Sequence, residues 1–576
     1  MKCSSKAYNN IYVADFETLS GDVDETWVWA WASCNINDIE KCNIGNSIDS
    51  FIDYLCMLPG NNNFVYFHNL SHDGSFILDW LFNKEAEYCE KFNESNRLQF
   101  NCLIGDDGSF FNISVKLKKR KVVTFRDSSK KVSGKVADIA RDWKTKYQKL
   151  ELDYLEYHEP GENLSDEIKE YVCNDVRVIA EVLKHLYDMG YTNQTIASDS
   201  QTIYRKMYPF YYKDTPSLNL EEDGFVRKSY KGGWCYLNPK YQNIKVDKGV
   251  IYDINSSYPS VMASAKNYYP VGRGIYYTGK YDKGDAYVYI AHVRADIELK
   301  ENKYPCISKK RPYSQTEEYI EYTEGMEEFW LTQIDLELLK ECYDIIDIDY
   351  IDGYYYNKKR GSMIFGDFIN ELYEGKCNST GAKKQTYKIT MNSSYGKYGQ
   401  KPVFIKKVPY MGEDGIIKFR KEKCENEKSK GYIPLASFIT AYARKKVIDA
   451  ANANYDRFIY SDTDSIHLLG WETPNGIEID KTYLGKWDDE YYFIKGRYAK
   501  LKTYMLVSDD KCKITAAGMS DDCKEEIKNH KEEYFDKFKP GLVIENLNLK
   551  RQRIKGGVTL IPTAFTIKMD SDIMEM

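Results

Sequence analysis

The 576-residue sequence has no apolar run of the roughly 18–20 residues that a bilayer-spanning helix needs. Residues 1–10 lack the apolar stretch of a secretory leader, so the product is expected to stay in the compartment where it is made. The 14 cysteines stand singly from Cys3 to Cys523, and no Cys-x-x-Cys occurs. That spacing excludes a zinc ribbon and a dithiol redox motif, and fits small buried hydrophobes in a reducing compartment. Internal repeats and low-complexity linkers are missing too, so the chain reads as compact rather than beaded. Positive net charge is also lacking, at −6. A uniformly basic nucleic-acid binder is thereby excluded, but a patch is not.

Patches are what the sequence contains. Lysines crowd residues 116–121, 376–388, 397–407 and 418–430, and there are 51 tyrosines. Rings between lysines suit stacking on bases beside phosphates, although a tyrosine-rich core from an AT-rich genome explains much of the count. Hydrophobic residues make up 43%, enough for several cores, and the length fits two to five domains of about 100–200 residues.

Residues 11–17 and 64–67 read as strands, and 73–82 and 166–187 as helices, which predicts an α/β domain ending near 193. Further on, 250–254 reads as a strand and 363–395 as helical with few breakers. Residues 403–409 and 415–420 flank Gly412-Glu413-Asp414-Gly415, a hairpin pattern, and 457–469 form a second hairpin around an acidic tip.

Two sets of carboxylates stand out. Asp15 and Glu17 alternate along the first strand and so share a sheet face, as they would on a solvated edge. Asp73 follows in His68-Asn69-Leu70-Ser71-His72-Asp73, and Tyr171 and Asp175 share a helix face. Two metal ions about 4 Å apart need several carboxylates to drive in-line attack on phosphorus. These four acids would suffice, with Tyr171 orienting water. The order D-x-E, N-x3-D, Y-x3-D resembles the three exonuclease motifs of proofreading DNA polymerases.

The second set comprises Asp253, in Tyr252-Asp253-Ile254-Asn255-Ser256-Ser257-Tyr258-Pro259, and Asp462 and Asp464, in Tyr460-Ser461-Asp462-Thr463-Asp464-Ser465. An acidic hairpin tip carries like-charge repulsion unless a cation or solvent relieves it. Between the two motifs, Lys384, Lys388, Asn392 and Tyr395 fall on one face at helical spacing. These segments resemble the D-x-x-S-L-Y-P, Y-x-D-T-D-S and fingers-helix motifs of family B DNA polymerases. Tyr230-Lys231-Gly232-Gly233 resembles the Y-x-G-G motif, and Lys502-Thr503-Tyr504 the K-x-Y motif. About a hundred residues separate the Asp253 motif from the fingers, and a basic hairpin separates the fingers from the Asp462 tip. This layout, up to Phe565-Thr566-Ile567-Lys568, resembles the protein-primed polymerases of the phi29 phage type.

That resemblance implies an α+β multidomain fold: an RNase H-like exonuclease domain (1–193) and a right-hand polymerase with two insertions. The palm is 194–264 and 432–517, the first insertion 265–362, the fingers 363–399, the second insertion 400–431 and the thumb 518–576. It implies a DNA-directed DNA polymerase with 3′→5′ exonuclease activity, using two Mg²⁺ per site, with Mn²⁺ as an alternative. Asp253, Ile254 (through its carbonyl) and Asp464 would bind metal, with Asp462 as the third acid. Asp15, Glu17, Asp73 and Asp175 would bind metal in the nuclease, supported by Lys149. Tyr258, as sugar gate, and Lys376, Lys384, Lys388, Asn392 and Tyr395 would hold the nucleotide. Thr18, Tyr66, His68, Asn69, Ser128, Tyr154, Tyr230, Gly232, Gly233, Lys502 and Tyr504 would hold DNA. A terminal protein would dock on the first insertion, and the second would close a ring with the thumb, giving processivity and strand displacement. A monomer in the cytoplasm of a bacterial host, encoded by a phage or mobile element, is the corresponding expectation. Rival readings are a primer-independent polymerase, a nuclease with a degenerate polymerase half, and a non-catalytic DNA-binding scaffold; no expected carboxylate is missing to favour the last two. The sequence departs from the family pattern at Ser257 and Ser394, beneath the nucleotide, and at Ser129 and His72, beside the nuclease motifs.

Overall fold

The computed structural model describes residues 8–93, 98–118, 120–150, 157–310, 317–425, 428 and 431–569. Tyr154 lies outside the described residues.

The N-terminal half is built on an eight-stranded sheet. Strand Ile11–Thr18 runs antiparallel to Val28–Asn35 and parallel to Asn62–Phe67, which is itself parallel to Lys121–Asp127. Both faces are covered. Phe16, Phe51, Phe67 and Phe125 fill one side, and Val13, Tyr66, Val176 and Ile179 the other. The Asp15 strand is therefore interior, and the solvated-edge alternative fails because neighbours and helices enclose it. Helix Asp166–Asp188 crosses this sheet, its start fixed by Ser165, whose hydroxyl accepts from the Ile168 N–H.

The second half centres on a seven-stranded sheet in which Lys245–Ile254 lies between Trp487–Lys500 and Ser465–Leu469. Helix Ile433–Ala453 is buried along most of its length and backs this sheet. A four-stranded sheet (Tyr268–Thr278, Tyr343–Arg360, Tyr287–Leu299, Glu327–Thr332) occupies most of residues 265–362. The stretch read as one helix from 363 to 395 is two, Gly361–Cys377 and Gly381–Asn392. The break at Asn378-Ser379-Thr380 ends on Gly381 with φ +54°, a conformation that favours glycine.

One long hairpin extends beyond its sequence signal, and a second carries no signal that the sequence reading used. Val403–Met411 pairs with Ile417–Glu425 down to Met411 opposite Ile417, and Val543–Ile554 pairs with Gly557–Thr566. Both tips rest on the N-terminal domain. Ile417 and Val558 enter its core beside Phe76 and Phe110. The Thr26 N–H donates to the Lys555 carbonyl at 3.0 Å, and Thr559 exchanges hydrogen bonds with Gly21 at 2.8 and 3.1 Å. The two hairpins also touch each other, with the Arg553 guanidinium 4.6 Å from the Phe419 ring centre. The basic hairpin is thus a docked element rather than a free surface loop.

Candidate active sites

The N-terminal acids converge. Asp15, His68, Asn69, His72, Asp73, Lys149, Asp175 and Arg551 line one cavity of about 330 Å³. Asp15 comes from the interior strand, Asp73 from the first turn of helix Asp73–Asn83 and Asp175 from the long helix. The Phe16 N–H donates to Asp73 Oδ1 at 3.3 Å, tying two of these elements together. Lys149 Nζ pairs with Asp175 and donates to the Tyr171 hydroxyl at 3.2 Å. Burial and then the Asp175 charge push Asp15 up to about 7. Burial followed by Asp15 holds Glu17 and Asp73 well above the usual carboxylate range, and burial raises Asp175.

The other expected nuclease ligands divide. Thr18 Oγ1 lies 3.2 Å from His72 Nε2. His68 Nε2 lies 2.7 Å from the Gly134 carbonyl, which can only accept, so its Nδ1 accepts from Ser128 Oγ at 2.9 Å. Ser128 is buried and therefore fixes His68 instead of facing a strand. Tyr66 is a correction as well. It is fully buried, and its hydroxyl is held by Tyr187 and Arg126. His72, where the family pattern has an aromatic, packs 5.6 Å from Phe76, and burial drops it to about 4, so it is neutral near pH 7.

The second set of acids meets across the central strands. Ser465 pairs with Asp253 on one side and with Asp462 on the other, so its neighbours in register are both acids. Asp253 and Asp464 line a cavity of about 640 Å³ together with Lys376, Lys384, Lys388 and Asn392. Burial and then Asp464 raise Asp253 to about 7, and burial and then Asp462 raise Asp464 to about 6. The Ile254 N–H donates to the Asp464 carbonyl at 2.9 Å, locking the two motifs together. Lys502 donates to Asp462 Oδ1 at 3.0 Å. Lys376 reaches Ser256 Oγ at 3.5 Å. Tyr258 and Tyr395 stack with centroids 4.1 Å apart, although Tyr395 sits in a short turn beyond the helix and not on its face.

Gly233 packs closely against the acidic tip. A Cβ there would lie 2.7 Å from Thr463 Cγ2, so the missing side chain admits the acidic hairpin tip, whose Thr463 N–H donates to the Trp234 carbonyl. Gly232 is exposed, and Tyr230 is half-buried. Tyr504 is buried in a cluster with Tyr460, Tyr498 and His467, so its ring packs into the core of the sheet. Arg444 was not anticipated. Buried in the long helix, it donates to the Lys231 and Gly232 carbonyls at 3.0 and 2.9 Å and to Asp335 at 2.6 Å. No local sequence pattern marks it.

Both sites suit cations. Their acids repel one another, Asp175 Oδ1 is buried without a hydrogen-bond partner, and an ammonium already lies on one carboxylate of each set. Among the described residues no three His, Cys, Asp or Glu side chains close into a metal-holding group, so the acids converge without forming a finished cage.

The family model for type B DNA polymerases, organellar and viral, matches residues 154–482. The DNA polymerase of Bacillus phage phi29 is 35% identical over 97% of this chain and 99% of its own. That of Streptococcus phage Cp-1 is 31% identical over 97% and 98%. The structure of phi29 DNA polymerase complexed with primer-template DNA superimposes with a TM-score of 0.89, at 34% identity, over 97% of this chain and all of the other. A ternary complex of the same enzyme with incoming nucleotides gives 0.86. With this fold, this shared cavity of acids and lysines, and such likeness end to end, the chain belongs to the organellar and viral type B DNA polymerases, among those of the phi29 type, and is a DNA-directed DNA polymerase.

Proposed function

We propose that this polymerase is protein-primed and strand-displacing, and that its N-terminal cavity is a 3′→5′ proofreading nuclease. The observation that carries the polymerase chemistry is that Asp253 and Asp464 share one cavity with three lysines. Divalent metal, on which the family depends, is proposed as two Mg²⁺ per site, which would activate the attacking oxygen and neutralise charge on the phosphates. Asp253, the Ile254 carbonyl and Asp464 would hold it at the polymerase, and Asp15, Glu17, Asp73 and Asp175 at the nuclease. Lys376, Lys384 and Lys388 are suited to grip a triphosphate, with Asn392 beside them. The Tyr258 ring would lie under the sugar and reject a 2′-hydroxyl, and Tyr395 would cover the base pair. Lys149 is suited to hold Asp175 and Tyr171 in place for an incoming water. The solved relatives bind primer-template DNA, single-stranded DNA and incoming nucleotides, and we assign the same substrates here.

We further propose the division into exonuclease (1–193), palm (194–264 and 432–517), first insertion (265–362), fingers (363–399), second insertion (400–431) and thumb (518–576). A ring around DNA is supported by the two docked hairpins, whose tips share the nuclease core. A terminal protein on the first insertion, action as a monomer and work in the cytoplasm of a bacterial host complete the reading. The test is extension of a primer on a singly primed circle with Mg²⁺, four dNTPs and no accessory protein. Products many times the circle length are expected. Products of one circumference would remove strand displacement, and a primer only shortened would leave the nuclease alone.

A further inference from the structure

The C-terminal hairpin does more than close against the nuclease domain. It places Arg551, exposed on strand Val543–Ile554, on the wall of the acid-lined cavity alongside Asp15, His72 and Asp73. Arg551 Nη1 donates to Ser71 Oγ at 2.6 Å, and Ser71 Oγ donates to Asn69 Oδ1 at 2.8 Å. The arginine is thereby held at a cavity where Asp15, Asp73 and Asp175 crowd together, yet among the described residues no carboxylate lies within ion-pair distance of it. A guanidinium has five donors in a planar fork, and one bond to a serine leaves most of the fork unused. Carboxylates that suit metal on one side and a cationic fork on the other suit one ligand class, a phosphodiester, whose oxygens the fork can take in pairs.

We propose that Arg551 is a substrate-contacting residue of the nuclease: it reaches in from the C-terminal hairpin and holds a phosphate of the single strand being degraded. Degradation then requires the hairpin to be docked, so a residue 480 positions from Ser71 belongs to the N-terminal site. This inference rests on reading the cavity as a 3′→5′ nuclease.

The test uses the full chain with Mg²⁺ and a 3′-labelled single-stranded oligonucleotide, comparing wild type, Arg551→Ala and Arg551→Lys under single turnover. Expected is a loss of about 10–100-fold in kcat/KM for Arg551→Ala, mainly in KM, with partial recovery in Arg551→Lys. Oligonucleotides carrying one neutral methylphosphonate at each of the last few linkages locate the contact. At one linkage the wild type should slow to the Arg551→Ala rate, and Arg551→Ala should lose nothing more. An Arg551→Ala rate equal to wild type would overturn the proposal and leave the nuclease reading standing. A loss the same at every linkage and unrelieved by lysine would also overturn it, assigning Arg551 a role in hairpin docking alone. Degradation that persists in Asp15→Ala/Asp73→Ala would instead overturn the nuclease reading, and this inference with it.

Discussion

The two acidic sites solve one electrostatic problem in different ways. Among the N-terminal acids Asp73 and Asp175 are buried on the cavity wall and Glu17 is buried close by, and Lys149 supplies a countercharge to Asp175. In the C-terminal site Asp253, Asp462 and Asp464 are half-exposed at strand ends; Lys502 sits on Asp462, while three further lysines share a cavity of about 640 Å³ with Asp253 and Asp464 without an ion pair to them among the described residues. The first arrangement stores repulsion inside a rigid frame. The second leaves the repulsion open to a ligand that brings its own charge. On the proposed nuclease reading the N-terminal site is prebuilt, whereas a polymerase site must accept a triphosphate at each cycle, and three of its lysines stand clear of its acids.

The sharpest way to break this comparison is to remove an acid from each site. Asp464→Ala should lower primer extension by about 1,000-fold or more and leave single-strand degradation intact, and Asp15→Ala with Asp73→Ala should do the reverse. Loss of both activities from either change would mean that the sites are not separate, and radiolabelled extension and degradation assays on the same preparations decide it.

Next in size are the buried ion pairs that brace each half. Lys131, just beyond the short turn that follows strand Lys121–Asp127, and Asp199, 2.5 Å apart and buried, tie the N-terminal domain to helix Ile196–Met207. Arg444 and Asp335 tie helix Ile433–Ala453 to helix Gln333–Cys342. Removing one partner strands a charge in the interior, so Asp199→Ala and Asp335→Ala should each cost about 3–5 kcal/mol. Calorimetry should place the first loss in a transition shared by both halves and the second in the C-terminal half. The close approach of the acidic tip is a smaller lever. Gly233→Ala drives a methyl into Thr463, and a displacement of about 1 Å at reacting groups costs about 100-fold, so extension should fall by that order while degradation is kept. Adding Thr463→Ala should restore part of the rate; no recovery would show that the clash is not the cause.

Much of this was legible in the sequence because chemistry repeats at fixed spacing. Asp15 and Glu17 at period two, Tyr171 and Asp175 at one helical turn, and Lys384, Lys388 and Asn392 along a helix each follow from backbone geometry. The helix break at 378–380 was not legible, since Asn, Ser and Thr are tolerated within a helical window and only the left-handed Gly381 reveals it. Tyr66 and Tyr504 read as ligands because a tyrosine in a motif carries no mark of which way its ring points; the sheet's second face and the Tyr460–Tyr498 cluster decide that. Arg444 and Arg551 were invisible for a different reason. Their partners lie 212 and 480 positions away, and no local pattern encodes contacts of that range.

The smallest effect sits beneath the nucleotide site, where the two halves of the comparison nearly meet in scale. Ser257 is buried, and its hydroxyl has no hydrogen-bond partner, whereas Ser394 donates to the Met391 carbonyl at 2.9 Å. Both stand where the family pattern has leucine, yet only one is satisfied. A buried hydroxyl without a partner keeps its desolvation cost, about 1 kcal/mol, and an alanine of nearly the same volume does not. Ser257→Ala should therefore raise the stability of the polymerase half by about 1 kcal/mol, and Ser394→Ala should lower it by a similar amount. Denaturant midpoints with unchanged slopes would carry that opposite sign. Equal shifts in the same direction would mean that the two serines are equivalent, and that volume rather than the unpaired oxygen governs packing under Tyr258.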